Sequence, residues 1–354
     1  MHLPELHIPR WLRSPHLQTL GAAVPLFAPP RSHASLAAED LRLPLAVADE
    51  RYRLHARAWW MLDDAGARLR RPVIVLVHGI GGSSQSRYVV RAAVALHRAG
   101  YHVVRLDLRG AGASIPDAPT LYHAGLSEDL GVVAEHLARE PHADGVVLVG
   151  FSGGGSLALK LAGQYGASPP AGLRGVVSIS APLDYTEVGR WMDTLGRLPY
   201  RFHVLRGLST GARAFARHHP ERAHYRPEDV KRLSSFRHYD SSVIVPMHGF
   251  SDVDAYYEAA SPGPLLRHIT VPALLLHADD DPMVPGRTVR PWLARASSAV
   301  EPFVTRHGGH LGWVSGFDEA SWITAWPARR ALAFLAARAP VPPPGVLDVR
   351  AVAT

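Results

Sequence analysis

The sequence contains no cysteine. Disulfides, thiolate metal sites and a cysteine nucleophile are therefore excluded. Lysine is nearly missing too: Lys160 and Lys231 are the only two, and the remaining basic residues are arginines. These arginines are scattered. Although the formal net charge is +7, no run or stripe forms the footprint of a nucleic-acid arm, and no nucleic-acid partner is expected. Charged residues make up 19% of the chain, too few for a disordered polymer. No window of about 18 consecutive apolar residues occurs, so no helix is expected to span a membrane. The stretch from Met1 to Arg10 lacks a basic segment followed by an apolar one. That argues against a signal peptide and makes the cytoplasm the expected compartment. Internal repeats are absent.

What is present suits one catalytic domain with an insertion. The chain has 354 residues, of which 47% are apolar, enough to bury a large core. Residues 1–40, rich in Pro and His, read as an irregular arm. From Pro72 a rhythm sets in. Apolar, β-branched runs at 72–77, 102–107, 145–149, 175–180, 271–277 and 300–305 predict strands. Between and after them, helical spacing recurs at 85–99, 125–139, 153–165 and 317–337. Strands apolar on both faces and alternating with helices predict a mostly parallel sheet flanked by helices. Residues 41–183 and 262–339 would form this core. Residues 184–261 break the rhythm and predict a helical cap inserted before the strand at 271–277. Its Trp191, Leu195, Phe202 and Leu205 would either roof a pocket or form the cap's own small core. The Pro-rich tail, 340–354, reads as loose.

The strongest local signal is Gly150-Phe151-Ser152-Gly153-Gly154. This G-x-S-x-G pattern follows a predicted strand and precedes a predicted helix, the context in which a serine hydroxyl is exposed on a sharp turn. A Gly-rich turn that merely packs closely or binds phosphate is the other reading. A serine hydroxyl needs a base to take its proton, and in this kind of fold the partners follow in the order Ser, acid, His. Asp281, in Asp279-Asp280-Asp281-Pro282, and His310, in Gly308-Gly309-His310, each follow a predicted strand. Asp280 is the fallback for the acid, and Asp279 reads as a turn residue. The loop His78-Gly79-Ile80-Gly81-Gly82 follows the first core strand. There the backbone N–H groups of Ile80 and Gly153 are candidates for an oxyanion hole, and the His78 side chain reads as structural. Asp107 and Arg109 are expected to brace a strand end. His218, His219 and His224 lack a partner acid, so no metal and no cofactor are expected.

These residues resemble the YheT-like branch of the α/β-hydrolase superfamily over roughly residues 9 to 335. Ser14-Pro15-His16-Leu17-Gln18-Thr19-Leu20 is similar to the branch's N-terminal signature, and His78-Gly79-Ile80-Gly81-Gly82-Ser83-Ser84 to its oxyanion loop. Asp107-Leu108-Arg109-Gly110, Gly150-Phe151-Ser152 and Pro246-Met247-His248-Gly249-Phe250 also match it. The chain departs from the branch at Gly153, where a larger apolar residue is usual, and at Gly81, where an acid is common. The resemblance implies an α/β-hydrolase fold and a catalytic Ser152, Asp281 and His310. It also implies hydrolysis of small-molecule esters, fatty-acyl or phospholipid esters among them, compatible with peripheral membrane contact. An acyltransferase on the same residues, or a non-catalytic binding protein of the same fold, are the competing readings.

Overall fold

The computed structural model describes residues 8–23, 38–47, 50–314 and 325–340. The strands are β1 (Glu39–Val47), β2 (Glu50–Trp59), β3 (Arg71–Val77), β4 (His102–Leu106), β5 (Ala143–Phe151), β6 (Leu173–Ile179), β7 (Ala273–Ala278) and β8 (Val300–Thr305). They form one eight-stranded sheet in the order β1-β2-β4-β3-β5-β6-β7-β8. β1 pairs antiparallel with β2, and β2 with β4. Every pairing from β4 to β8 is parallel.

The helices of eight or more residues are α1 (Pro15–Ala23), α2 (Arg87–Arg98), α3 (Glu128–Ala138), α4 (Gly153–Tyr165), α5 (Tyr185–Met192), α6 (Leu198–His218), α7 (Val253–Ala260), α8 (Gly286–Leu293) and α9 (Ala325–Arg338). Of these, α2, α3, α4 and α9 cover the two faces of the sheet, and β3 shows why. Its Val73, Val75 and Val77 enter one core with Leu130 of α3 and Leu157 of α4. Its Ile74 and Leu76 enter the other with Val89 of α2 and Phe334 of α9. A strand buried on both sides needs apolar residues at every position, which is the run the sequence carries.

Between β6 and β7 the described elements are helical. Leu205, Phe215, Tyr239 and Tyr256 pack there into a third cluster. Leu205 thus belongs to this segment's own core. Leu195 stands exposed instead.

Two expectations need correction at the N-terminus. Pro15–Ala23 lies in the stretch expected to be irregular, yet it is helical. Pro15 starts it, where a missing N–H is harmless. The buried positions of this helix include Gln18 and Thr19, so no apolar period betrays it. In addition, β1 begins at Glu39, within the same stretch. The beginning of the helix expected at 317–337 and the tail from 341 lie outside the described residues.

The sheet positions the site through its strand order. β4 lies on one side of β3 and β5 on the other, so the direction of winding reverses at β3. Outside the carboxyl ends of such neighbouring strands a crevice opens, and ligands bind there. The loops after β3, β5, β7 and β8 all emerge at that edge.

Candidate active site

Ser152 occupies the single residue between β5 and α4. Its backbone has φ 51° and ψ −122°, a strained conformation for a residue with a Cβ. The Ser152 N–H donates to Ile179 O (2.8 Å), and its carbonyl accepts from Gly155 N (2.9 Å) and Ser156 N (3.1 Å). Tight packing around the turn enforces glycine on both sides. A Cβ on Gly150 would lie 2.3 Å from Gly154 O, and one on Gly154 would lie 2.4 Å from Val77 O.

His310 and Asp281 arrive from the loops after β8 and β7. His310 Nε2 lies 3.1 Å from Ser152 Oγ, and His310 Nδ1 lies 2.7 Å from Asp281 Oδ2. The other carboxylate oxygen of Asp281 accepts from Met283 N (2.8 Å) and Val284 N (2.9 Å). Asp281 is 2% exposed. A carboxylate held by two N–H donors accepts at its second oxygen. His310 Nδ1 therefore carries the proton, which leaves Nε2 as an acceptor toward the serine. The structure thus brings Ser152, His310 and Asp281 into one chain of contacts.

The three adjacent aspartates divide the work. Asp279 pairs with Arg290 on the surface. Asp280 accepts from Gly309 N (2.9 Å) and lies 3.0 Å from His307 Nδ1, holding the loop that carries His310. Asp281 alone faces the imidazole.

The loop after β3 closes the other side. A Cβ on Gly153 would lie 2.5 Å from Ile80 Cγ1 and 3.4 Å from Ile80 N. The Ile80 side chain therefore fills the room that a larger residue at 153 would take, and the Ile80 and Gly153 backbones lie side by side. Neither N–H donates to another group among the described residues. Gly81 has φ 74°, and a Cβ there would sit 3.0 Å from Val204 O of α6. Its N–H donates to the Tyr122 hydroxyl at 2.6 Å. The second departure from the branch pattern is thus a close approach of α6 to this loop. His78 is fully buried: its Nε2 accepts from Leu108 N (3.3 Å) and its Nδ1 faces Gly79 O (2.8 Å). Burial lowers its pKa, in keeping with a neutral structural histidine. Asp107 binds Ser84, and Arg109 pairs with buried Asp129, so both brace the strand end.

A cavity of about 480 Å³ opens onto Ser152 and His310. Sequence reasoning missed three groups around it. Thr19 Oγ1 accepts from His310 N at 2.9 Å, and only the resemblance of its segment marked it. Tyr122 anchors Gly81. Asp240 lines the cavity from the helical insertion, buried, with one oxygen taking the Tyr257 hydroxyl (2.7 Å). Burial, aided by nearby Asp193, pushes its carboxyl up to about 7, while the Tyr257 hydrogen bond works the other way. No sequence signal distinguishes Asp240 from a surface acid. Among the described residues no cluster of His, Asp and Glu forms a metal site.

The profile of the α/β hydrolase fold matches residues 72–316, and the chain belongs to that family. Within it, the chain falls in the YheT-like branch. It is 28% identical over 257 residues to a protein named as an esterase, YheT of Escherichia coli (strain K12), covering 73% of this chain and 74% of that protein. It is 26% identical to the phospholipase ABHD3 of Mus musculus, over 70% of this chain and 59% of that one. The chain thus spans less than two thirds of the mouse protein. In fold it is similar to the Pyrococcus furiosus esterase Pf2001, with a TM-score of 0.55 at 16% identity, covering 88% of this chain and 97% of that one.

Proposed function

We propose that the protein is a serine hydrolase of carboxylic esters, acting through an acyl-enzyme on Ser152. One observation carries the reading: the unbroken chain Ser152 Oγ, His310 Nε2, His310 Nδ1, Asp281 Oδ2, with spacings of 3.1 and 2.7 Å. The names of the relatives, esterase and phospholipase, support the substrate class.

In this reading Ser152 Oγ attacks the ester carbonyl carbon while His310 Nε2 takes its proton. The carbonyl oxygen becomes an oxyanion, held by the N–H groups of Ile80 and Gly153. Such donors, fixed in the backbone, do not reorient as charge develops. The tetrahedral intermediate collapses. The C–O bond to the alcohol breaks, and the alcohol leaves with the proton from His310. Water then attacks the acyl carbon, gives a proton to His310, and the acid departs as Ser152 regains its hydrogen. Asp281 fixes the imidazole tautomer and stabilises its charged form throughout. No step calls for a metal or organic cofactor.

The substrate is a lipid-like ester. The cavity walls include Val188, Met192, Phe202, Leu208 and Ile244, a lining suited to an acyl chain rather than a charged one. A panel of p-nitrophenyl esters from acetyl to palmitoyl tests both points. Turnover by the wild type and its loss in Ser152→Ala are expected. Folded wild-type protein that turns over none of the panel would favour a binding protein. Capture of the acyl group by an added alcohol in preference to water would favour an acyltransferase.

A further inference from the structure

Seven large apolar side chains stand exposed among the described residues. All but Leu62 come from two short segments. Trp11, Leu17 and Leu20 belong to the N-terminal segment. Leu195, Leu198 and Phe202 belong to the start of α6 and the turn before it. Leu195 is 80% exposed and Phe202 69%. The two segments touch: His16 Nδ1 lies 2.5 Å from the Tyr200 hydroxyl, and the two rings stack. Together they frame the mouth of the cavity, because Thr19 and Leu20 line it from one side and Pro199 and Phe202 from the other.

The two segments that supply the patch carry charge of one sign, and the acid just before the second, Asp193, lies 3.8 Å from Arg201. Residues 8–20 and 194–208 contain no aspartate or glutamate. They carry exposed Arg10, Arg13 and Arg206. An apolar patch rimmed by arginines is the arrangement that a headgroup-and-acyl boundary accommodates. Each basic residue near an anionic surface adds electrostatic attraction that salt screens.

We infer that this rim is a docking face for an anionic lipid bilayer, seating the mouth of the cavity on the membrane. The position of the patch favours a membrane over a protein. A protein seated there would cover the mouth through which an ester must enter, whereas a bilayer presents its acyl chains to that mouth directly. The inference deepens the ester-hydrolase reading and rests on it for the direction of substrate entry. Docking itself needs only the surface.

The test is co-sedimentation of the full chain with phosphatidylcholine vesicles made with and without phosphatidylglycerol, at low and raised salt. The wild type is expected to bind the anionic vesicles and to lose much of that binding in salt. The triple variant Leu17→Ser, Leu195→Ser, Leu198→Ser removes apolar groups outside the cavity. It is expected to bind the same vesicles roughly tenfold more weakly or worse, with p-nitrophenyl butyrate turnover unchanged. Absence of binding by the wild type, or equal binding by the triple variant, overturns the inference. So does a wild-type dimer that the triple variant loses, with no vesicle binding by either, because the face then joins two copies. Vesicle binding without p-nitrophenyl butyrate turnover would sink the hydrolase reading and leave the docking face standing.

Discussion

The backbone N–H of His310 donates to the hydroxyl of Thr19 at 2.9 Å, joining residues 291 apart in sequence. Beside it, the Gln18 side chain donates to Val314 O (2.9 Å) and accepts from Val314 N (2.7 Å). Helix α1 thus holds the imidazole-bearing segment at two points, His310 and Val314. This accounts physically for the N-terminal signature: its polar residues satisfy backbone groups that the His310 loop cannot satisfy alone.

Removing the hydroxyl of Thr19 while keeping its shape should loosen the imidazole without unfolding the chain. A buried donor left unsatisfied costs about 1–3 kcal/mol. Thr19→Val is expected to lower kcat by roughly 10- to 100-fold, with KM for short esters little changed. Thr19→Ser, which retains the hydroxyl, should recover most of the rate. Steady-state kinetics on p-nitrophenyl butyrate, beside a melting curve, checks this.

The aspartate run yields an ordered series. Asp281→Asn leaves the imidazole with the wrong tautomer and should reduce kcat by about 10³- to 10⁴-fold. Asp280→Asn only weakens the hold on Gly309 and His307, and a loss smaller by an order of magnitude or more is expected. Asp279→Asn breaks an exposed pair with Arg290, worth little, and should leave kcat intact. A crippled Asp280 variant beside an active Asp281 variant would reverse the roles.

Much of this was legible in the sequence because burial on both faces leaves a strong signature. The runs 72–77 and 300–305 correspond closely to β3 and β8, and G-x-S-x-G fell on the strand-to-helix turn at Ser152. The order Ser, Asp, His named three residues that the fold brings together. What the sequence hid was polar. Helix α1 escaped notice because it buries Gln18 and Thr19 rather than an apolar stripe. Asp240 escaped because nothing local marks an acid that tertiary packing will desolvate. The close contact of Gly153 with Ile80 joins residues far apart in the chain, so the sequence gives no reason for the departure at 153. It is a filled space.

That packing predicts a paired effect. Gly153→Ala drives a Cβ into Ile80 Cγ1 and should displace the loop that carries the Ile80 N–H, lowering kcat by roughly 10²-fold. Ile80→Ala alone should be mild. In the double variant the space reopens and much of the lost rate should return. Independent, additive losses in a double-mutant cycle would show that the two side chains do not share one site.

Asp240 makes stability depend on pH. Its carboxyl is raised from 3.8 to about 7 in the folded chain, so the unfolded chain ionises first as pH rises. The contribution of this group to stability is greatest below about pH 4 and falls away between about pH 4 and 7. Asp240→Asn keeps an acceptor for Tyr257 and cannot ionise. Relative to wild type it is expected to gain stability between pH 4.5 and pH 8, read from urea unfolding at each pH. Parallel curves would mean that Asp240 ionises in the folded chain as readily as in the unfolded one.

Covalent capture at Ser152 tests the whole account most directly. Incubation of the folded protein with a fluorophosphonate, followed by mass spectrometry of its peptides, should find one adduct on Ser152. Labelling should be slowed at least about 10³-fold in His310→Ala. An unlabelled wild type, or an adduct on another residue that persists in Ser152→Ala, would contradict it.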